Sequence, residues 1–203
     1  MSEKITSAFD AVFSKQFNEF SNIYHWNGTV RNSAITLPHH SWWVAALSKM
    51  IALEMDLPKG VQLKGVEYAL FHDIDEMFTG DVMHPLKYNE HNGEQIRDLL
   101  KDFVKQKSSS FFDVSFPVGK FLNGIINNGK KYDEKVKAIV KLADNLSLLN
   151  YSIVELKSGN KHFQDSFNYC SGSLLSSAFD RLYKAFESNK HDVIFGMNSY
   201  IND

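Results

Sequence analysis

The segment from residue 131 to residue 158 constrains this chain most. Val136, Ile139, Val140, Ala143, Leu146 and Leu149 recur there at steps of three and four, the spacing of one face of a long helix. A stripe of that length has to be covered by other elements. One residue breaks it. Asp144, flanked by Ala143 and Leu146, falls on the apolar side, where a carboxylate is costly unless it is paired, hydrogen-bonded or bound to a metal. A buried aspartate that caps a neighbouring helix is the competing explanation.

The remaining segments supply the cover. Ile5, Phe9, Val12, Phe13, Phe17 and Phe20 predict one amphipathic helix over 5–20. Residues 21–37 are irregular, with a turn signal at Asn27-Gly28, and a loop this long is often functional. After Pro38 a second helix is expected with Trp43, Ala46, Leu47 and Met50 inward. A third starts at Pro58 and ends near Phe71-His72-Asp73. A turn-rich passage with Gly80 and Pro85 follows. A helix over 92–107 places Ile96, Leu99, Leu100, Phe103 and Val104 inward and stops at Ser108-Ser109-Ser110. Phe112, Val114 and Phe116 alternate like a strand, but Pro117 and the later Asn-Gly pairs favour an irregular excursion with a short helix. A last helix covers about 165–188, and the polar tail from Asn189 is expected to fray. The sum is an all-α bundle of about six or more helices.

Composition narrows the class. The 203 residues are 43% hydrophobic, enough for one domain over 1–203 with a real core. No Pro/Gly-rich or Ser-rich linker, internal repeat or low-complexity tract divides them. Net charge is -2, from 22 basic and 24 acidic residues, which gives no bias toward a nucleic acid polymer. No stretch approaches the ~20 apolar residues of a membrane helix, and MSEKITSAFDAVF does not read as a secretory signal. The single cysteine, Cys170, fits a reducing compartment and a small buried apolar group. A soluble cytoplasmic protein is the expectation.

Chemistry concentrates at His72-Asp73. Neighbours inside a helix point about 100° apart, but at a helix end both side chains can turn toward one ion. Imidazole with carboxylate suits a borderline divalent metal such as Mn, Fe, Co or Zn. Further ligands are needed, and His39 or His40 upstream and Asp144 downstream are the candidates. Glu76, three residues beyond Asp73, shares its face if the backbone stays helical.

The ordered set His40, His72-Asp73, Asp144 resembles the H…HD…D pattern of the HD-domain metal-dependent phosphohydrolases. Three segments sharpen the likeness. HHSWWVA is similar to the EHSxxVA segment of the bacterial 5'-deoxynucleotidase branch. ALFHDIDEMFTGDVMHPLKY is similar to its HDxxExxTGDxxxPxKY run, and VKLADNLSLLNYSIVELKSGNKHF to its VKxADxLxAxxxxxEExxxGNxxF run. The resemblance covers roughly residues 24–163, with 164–203 left as a C-terminal helix and tail.

That resemblance implies an HD-type helical bundle and roles for named residues. His40, His72, Asp73 and Asp144 would hold one divalent ion at minimum, whether Co, Mn, Zn, Fe or Mg. Glu76 would be the catalytic carboxylate handling the proton of the attacking water, with Asp81 binding and orienting a deoxynucleotide. Trp26 would lie near the sugar, with Arg31 close by. Lys87 would bind phosphate or anchor its loop, and His84 stands beside it. The implied reaction is hydrolysis of deoxyribonucleoside 5'-monophosphates to a deoxynucleoside and phosphate, and the implied assembly is a homodimer, as is usual in the branch. The alternative is a deoxynucleoside di- or triphosphate phosphohydrolase, a class that includes phage-encoded proteins acting on the dNTP pool. The chain departs from the branch at His25, which stands where an Arg contacts phosphate, at His39 in place of Glu, and at Asn145 after the Ala-Asp pair. His25 could still donate to phosphate, as a weaker, pH-dependent cation.

Overall fold

A computed structural model describes residues 4–26, 28–128 and 132–186. Among these residues every regular element is helical, apart from two isolated β-bridges. The expected all-α class is what the chain adopts. The Asn27-Gly28 turn, in part, and the tail from Asn189 lie outside the described residues.

The first helix is not continuous. Ser7 caps α1 (Ala8–Phe13) in a reciprocal box with Asp10. Ser14 then leaves the helical region, and its hydroxyl accepts the Phe17 N–H to start α2 (Lys15–Phe20). A serine that can cap competes with helix continuation, and this overrides the apolar spacing. Phe9 and Phe13 end up about four-fifths exposed. Ile5 is buried outside the helix, paired in parallel with Phe112 through Ile5 N–H to Phe111 O at 2.8 Å.

Three helices form the scaffold. α3 (Leu37–Glu54) starts on Pro38, whose fixed φ suits a first turn. Its inward face is His40, Ser41, Val44, Ala45, Ser48 and Ala52, while Trp43 and Met50, expected inward, lie on the outer side. Small residues win that face because α4 (Lys59–Phe71) crosses close by, with Gly65 opposite Ser48. α9 (Glu134–Lys157) packs against both, and Val44, Ala45, Ala69, Val140 and Ala143 make the shared seam. Beyond it, Ile139 and Leu142 meet Leu175, Ala178 and Leu182 of α11 (Leu175–Phe186). Each large side chain fully buried there contributes about 1.5–3 kcal/mol.

The remaining elements fill the flanks. Short α5 (Glu76–Thr79) and α6 (His84–Lys87) occupy the turn-rich passage. α7 (Gly93–Phe111) runs through the serine cluster instead of stopping there. The hydroxyls of Ser108, Ser109 and Ser110 fold back onto the carbonyls of Lys105 and Lys107, so they do not compete with the helix. Leu99 is exposed and Val104, Ser108 and Phe111 are buried. α8 (Pro117–Asn128) is a full helix where a short one was expected. α10 (Gln164–Tyr169) joins α11 through a π-turn at Cys170–Leu174, and Asn145 of α9 donates to its Leu174 carbonyl at 2.8 Å. Cys170 is fully buried, and burial pushes its thiol up to about 11, so it packs as an apolar group. No helix of the described residues is long and apolar enough to cross a membrane.

Candidate active site

The scaffold brings together side chains far apart in sequence. His40 projects from the first turn of α3, His72 caps the end of α4 with Asp73 next to it, and Asp144 lies midway along α9. The His40 and His72 imidazoles and the Asp73 carboxylate place one donor atom each within 4.8 Å of one another. Asp144 is not one of the three whose donor atoms all lie that close, but its Oδ1 is 3.2 Å from His40 Nε2 and 4.0 Å from His72 Nε2. Asp73 Oδ2 is 3.1 Å from His72 Nε2 and 3.7 Å from His40 Nε2.

The donor set fits a divalent cation. Both Nε2 atoms are buried without a hydrogen-bond partner. Each ring is held from behind: His72 Nδ1–H donates to Ala69 O at 2.7 Å, and His40 Nδ1 meets Ser147 Oγ at 3.1 Å. A carbonyl only accepts, so His72 carries its proton on Nδ1 and turns its Nε2 lone pair to the cluster, the usual arrangement behind a metal-bound imidazole. Burial, aided by His25, holds His40 below the ordinary histidine range despite Asp144. Burial opposes the Asp144 charge, but Lys141, His40 and His72 outweigh it and hold that carboxyl well below the usual range. Neutral imidazoles with ionised carboxylates are the ligand forms a divalent ion needs.

Lys141 escaped the reading of the sequence. Its Nζ lies 2.8 Å from Asp144 Oδ2, one turn earlier on α9. A lysine three residues before a carboxylate on a helix was the available signal.

Glu76 stands next to the cluster. The helix does not continue from Asp73: residues 72–75 form a turn, and the Glu76 N–H closes it on Asp73 O at 3.0 Å, which still brings Glu76 beside Asp73. The side chain is buried, Oε1 meets Lys87 Nζ at 3.1 Å, and Oε2 has no partner. Burial first, then the Asp73 charge, pushes the carboxyl up to about 8. Gly80 ends α5 at φ 68° by returning its N–H to Glu76 O, a left-handed conformation that suits glycine. The chain then turns to present Asp81 and Lys87. A cavity of about 310 Å³ opens beside Glu76, lined also by Lys87, Arg97, Lys101 and Lys105 but by none of the four clustered residues.

The loop between α2 and α3 closes the other side. His25 Nδ1 meets Asp81 Oδ2 at 3.1 Å, and its ring lies 4.5 Å from that of His40. Burial works against the His25 charge, but Asp81 and the nearby carboxylates of Asp73 and Glu76 prevail and raise its pKa. Trp26 follows at φ 60°, a region that costs a bulky residue about 1–3 kcal/mol. Its ring packs 5.2 Å from Phe163 and 6.1 Å from Tyr151, and its Nε1 is buried without a partner. Arg31 spends its Nη1 on the backbone carbonyls of His25 and Trp26, at 3.1 and 3.2 Å. His84 is exposed, stacked on Tyr88 with Nε2 3.1 Å from the Tyr169 hydroxyl. His39 is exposed as well.

A helical bundle that gathers two histidines and an aspartate able to hold a divalent ion is that of an HD-domain metal-dependent phosphohydrolase. The family model for YfbR-like 5'-deoxynucleotidases matches residues 12–186, and the chain belongs to that family. Among curated relatives, the 4'-phosphooxetanocin A phosphatase of Priestia megaterium is 26% identical over 71% of this chain and 73% of its own length. The 5'-deoxynucleotidase YfbR of Salmonella arizonae is 29% identical over 62% of this chain and 63% of its own, so the match spans somewhat under two thirds of that relative. The cyanophage S-2L HD phosphohydrolase, solved with dA and one catalytic Zn2+ ion, superposes with a TM-score of 0.68 over 98% of this chain and 99% of that one, at 18% identity. An HD-domain phosphohydrolase from Listeria innocua gives 0.64 over 93% and 86%, at 17% identity. The last two establish the shared fold.

Proposed function

We propose that this enzyme hydrolyses deoxyribonucleoside 5'-monophosphates to a deoxynucleoside and phosphate, with a divalent ion held by His40, His72, Asp73 and Asp144. The convergence of two buried, unpartnered Nε2 atoms on two carboxylates carries the reading. The names of the curated relatives, a phosphatase and a 5'-deoxynucleotidase, support the monophosphate.

The ion, when bound, lowers the pKa of a water and polarises a phosphoryl oxygen. Glu76 does the proton work. Lys87 fixes Oε1 and leaves Oε2 to take a proton from water as its oxygen attacks phosphorus. The same carboxyl returns the proton to the 5'-oxygen as the ester P–O bond breaks. Positive charge beside Asp73 opposes the effect of Asp73 on Glu76 and favours its carboxylate form. Lys87 and His25 neutralise phosphate charge as it develops, with Asp81 orienting the His25 ring. Trp26 walls the deoxyribose, and Arg31 acts through the loop backbone.

A second reading is favoured by the cavity beside Glu76. Its lining sets the cations of Lys87, Arg97, Lys101 and Lys105 against the carboxyls of Asp75, Glu76 and Asp102, a balance that would suit the longer anion of a deoxynucleoside triphosphate only through the four cations. Assaying the purified protein on dNMPs, dNTPs and matched ribonucleotides, with Mn, Co, Zn or Mg, separates the two. The expected outcome is dNMP as best substrate and phosphate as sole phosphorus product. Preference for dAMP over AMP is expected at about tenfold or more, because a closed pocket rejects an extra hydroxyl by sterics. Release of intact triphosphate from dNTP at higher kcat/KM would replace the first reading with the second.

A further inference from the structure

The loop that bears His25 and Trp26 is tied to the C-terminal end of α9, outside the catalytic cluster, and Glu155 makes most of the bonds there, beside those of Ser158 to the Asn32 side chain. Glu155 sits in the last turn of α9 with none of its surface exposed. Its Oε2 accepts the Asn32 N–H at 2.8 Å and the Asn160 side-chain amide at 2.7 Å. Its Oε1 accepts the Ser33 N–H at 2.8 Å and the Ser33 hydroxyl at 2.6 Å. Asn160 also donates to Val30 O at 2.9 Å, and the Tyr151 hydroxyl to Ser33 O. Gly159 makes this possible: at φ 86° it turns the chain after α9 so that Asn160 folds back onto Glu155.

The stem of the loop is held separately. Tyr24 and Thr36 form an antiparallel bridge, and His25 N–H donates to Ile35 O at 2.8 Å. Between stem and anchor, Arg31 braces the carbonyls of His25 and Trp26. The register of residues 30–33 against α9 therefore fixes where Arg31 starts, and Arg31 fixes His25, whose ring lies 4.5 Å from that of His40, and Trp26 after it. A buried carboxylate that accepts four hydrogen bonds is far more than a helix end needs. A bare helix C-terminus presents carbonyls and gains nothing from an anion.

We infer that Glu155 is a positioning residue for substrate binding: through the backbone of residues 30–33 it sets His25 against the His40 side of the cluster, with Trp26 next to it, and so determines affinity for the nucleotide. This rests on the function proposed above. Its structural part, control of the loop from Glu155, can be read without any turnover.

Glu155→Gln is the test. An amide nitrogen would replace one carboxylate oxygen and face N–H groups that need an acceptor, so the network cannot be re-formed. In the full-length metal-loaded protein, exchange of the Asn32 and Ser33 amides should accelerate at least about tenfold, with amides in α3 and the middle of α9 unaffected. The indole N–H resonance of Trp26 should shift. KM for dNMP should rise about tenfold while kcat changes less than about threefold, the signature of lost binding without lost chemistry. The preference for deoxy- over ribonucleotide should shrink, and metal content should stay at the wild-type value. Ser33→Ala, an exposed position that cannot unfold the core, should move the same readouts less far. Leu182→Ala weakens the core away from the loop and should leave KM alone. Unchanged loop exchange and an unchanged indole resonance in Glu155→Gln would overturn the inference. So would an equal rise in KM in Leu182→Ala, which would reduce Glu155 to a stability residue. A wild-type protein inactive on every nucleotide would sink the proposed function, and the exchange and resonance data would still decide whether Glu155 controls the loop.

Discussion

His40, His72 and Asp144 stand on three helices pressed together by Val44, Ala45, Ala69, Val140 and Ala143. His25, Trp26 and Asp81 stand on irregular chain and Lys87 at the end of the one-turn helix α6, held by Arg31, Glu155 and the pairs His25–Asp81 and Lys87–Glu76. The first group is fixed by apolar packing, which is non-directional and insensitive to pH. The second is fixed by directional hydrogen bonds, each worth about 0.5–1.5 kcal/mol net, or 1.5–3 where a charge takes part. Division of labour follows from that difference. On the proposed function, helices hold the groups whose geometry a metal would dictate. Hydrogen-bonded loops hold the groups that would meet the variable parts of a substrate, and these can be re-aimed by a single substitution. His25 in place of the branch's arginine falls on the loop side of this divide.

Removing the Asp144 carboxylate from the scaffold should have the largest effect. Asp144→Ala leaves its packing neighbours in place and deletes only the carboxylate. Metal content measured on the purified protein should fall from stoichiometric to none, and activity should vanish with it, since loss of a ligand disables both binding and chemistry. An Asp144→Ala protein that keeps a full equivalent of metal would show that the helices do not define the ligand set.

Glu76 lies where the two regions meet, and its removal should separate chemistry from metal binding. Glu76→Ala should retain metal and bind nucleotide nearly normally, with kcat lowered by about 10²- to 10⁴-fold, the usual worth of positioned acid-base groups. Single-turnover rates together with metal analysis check this. Near-wild-type turnover would remove Glu76 from the mechanism.

Much of the scaffold was legible in the sequence because apolar periodicity reports packing directly. The stripe on α9 and the end of α4 at His72 both follow from spacing. Legibility failed where local polar chemistry overruled that pattern. Ser14 splits the first helix by capping the next, and Ser108 to Ser110 extend α7 by bonding to their own helix. The face of α3 was misread because close helix approach selects serine and alanine over tryptophan. At the site, the clustered ligands were reachable from their motif and from the oddity of a carboxylate in an apolar stripe. Lys141 and Glu155 were not singled out. Both fall on fixed letters of the quoted run, Lys141 in VKxAD and Glu155 in the EE pair, but neither sits in an apolar stripe, and their roles appear only where the tertiary structure buries their partners.

Acid should expose the contrast between the regions, because the scaffold helices are held by apolar packing and the loop is clamped on an ionised carboxylate. Burial works against the Glu155 charge, but the hydrogen bonds from Asn32, Ser33 and Asn160 outweigh it and hold its pKa at about 2, against 4.5 ordinarily. A depressed folded-state pKa means that the ionised form stabilises the fold. That contribution is complete above about pH 4.5 and is lost as pH falls toward about 2. From the size of the shift it amounts to on the order of 2–3 kcal/mol. Glutamine at 155 has nothing to titrate. Urea unfolding of wild type and Glu155→Gln should therefore give a stability gap that is largest near pH 7 and narrows steadily between about pH 4.5 and pH 2. In the same window the wild-type Asn32 and Ser33 amides should lose protection before those of α3 and α9. A gap that stays constant across this window would mean that the Glu155 charge does not hold the loop, and the contrast between a packed scaffold and a polar clamp would fail at its clearest point.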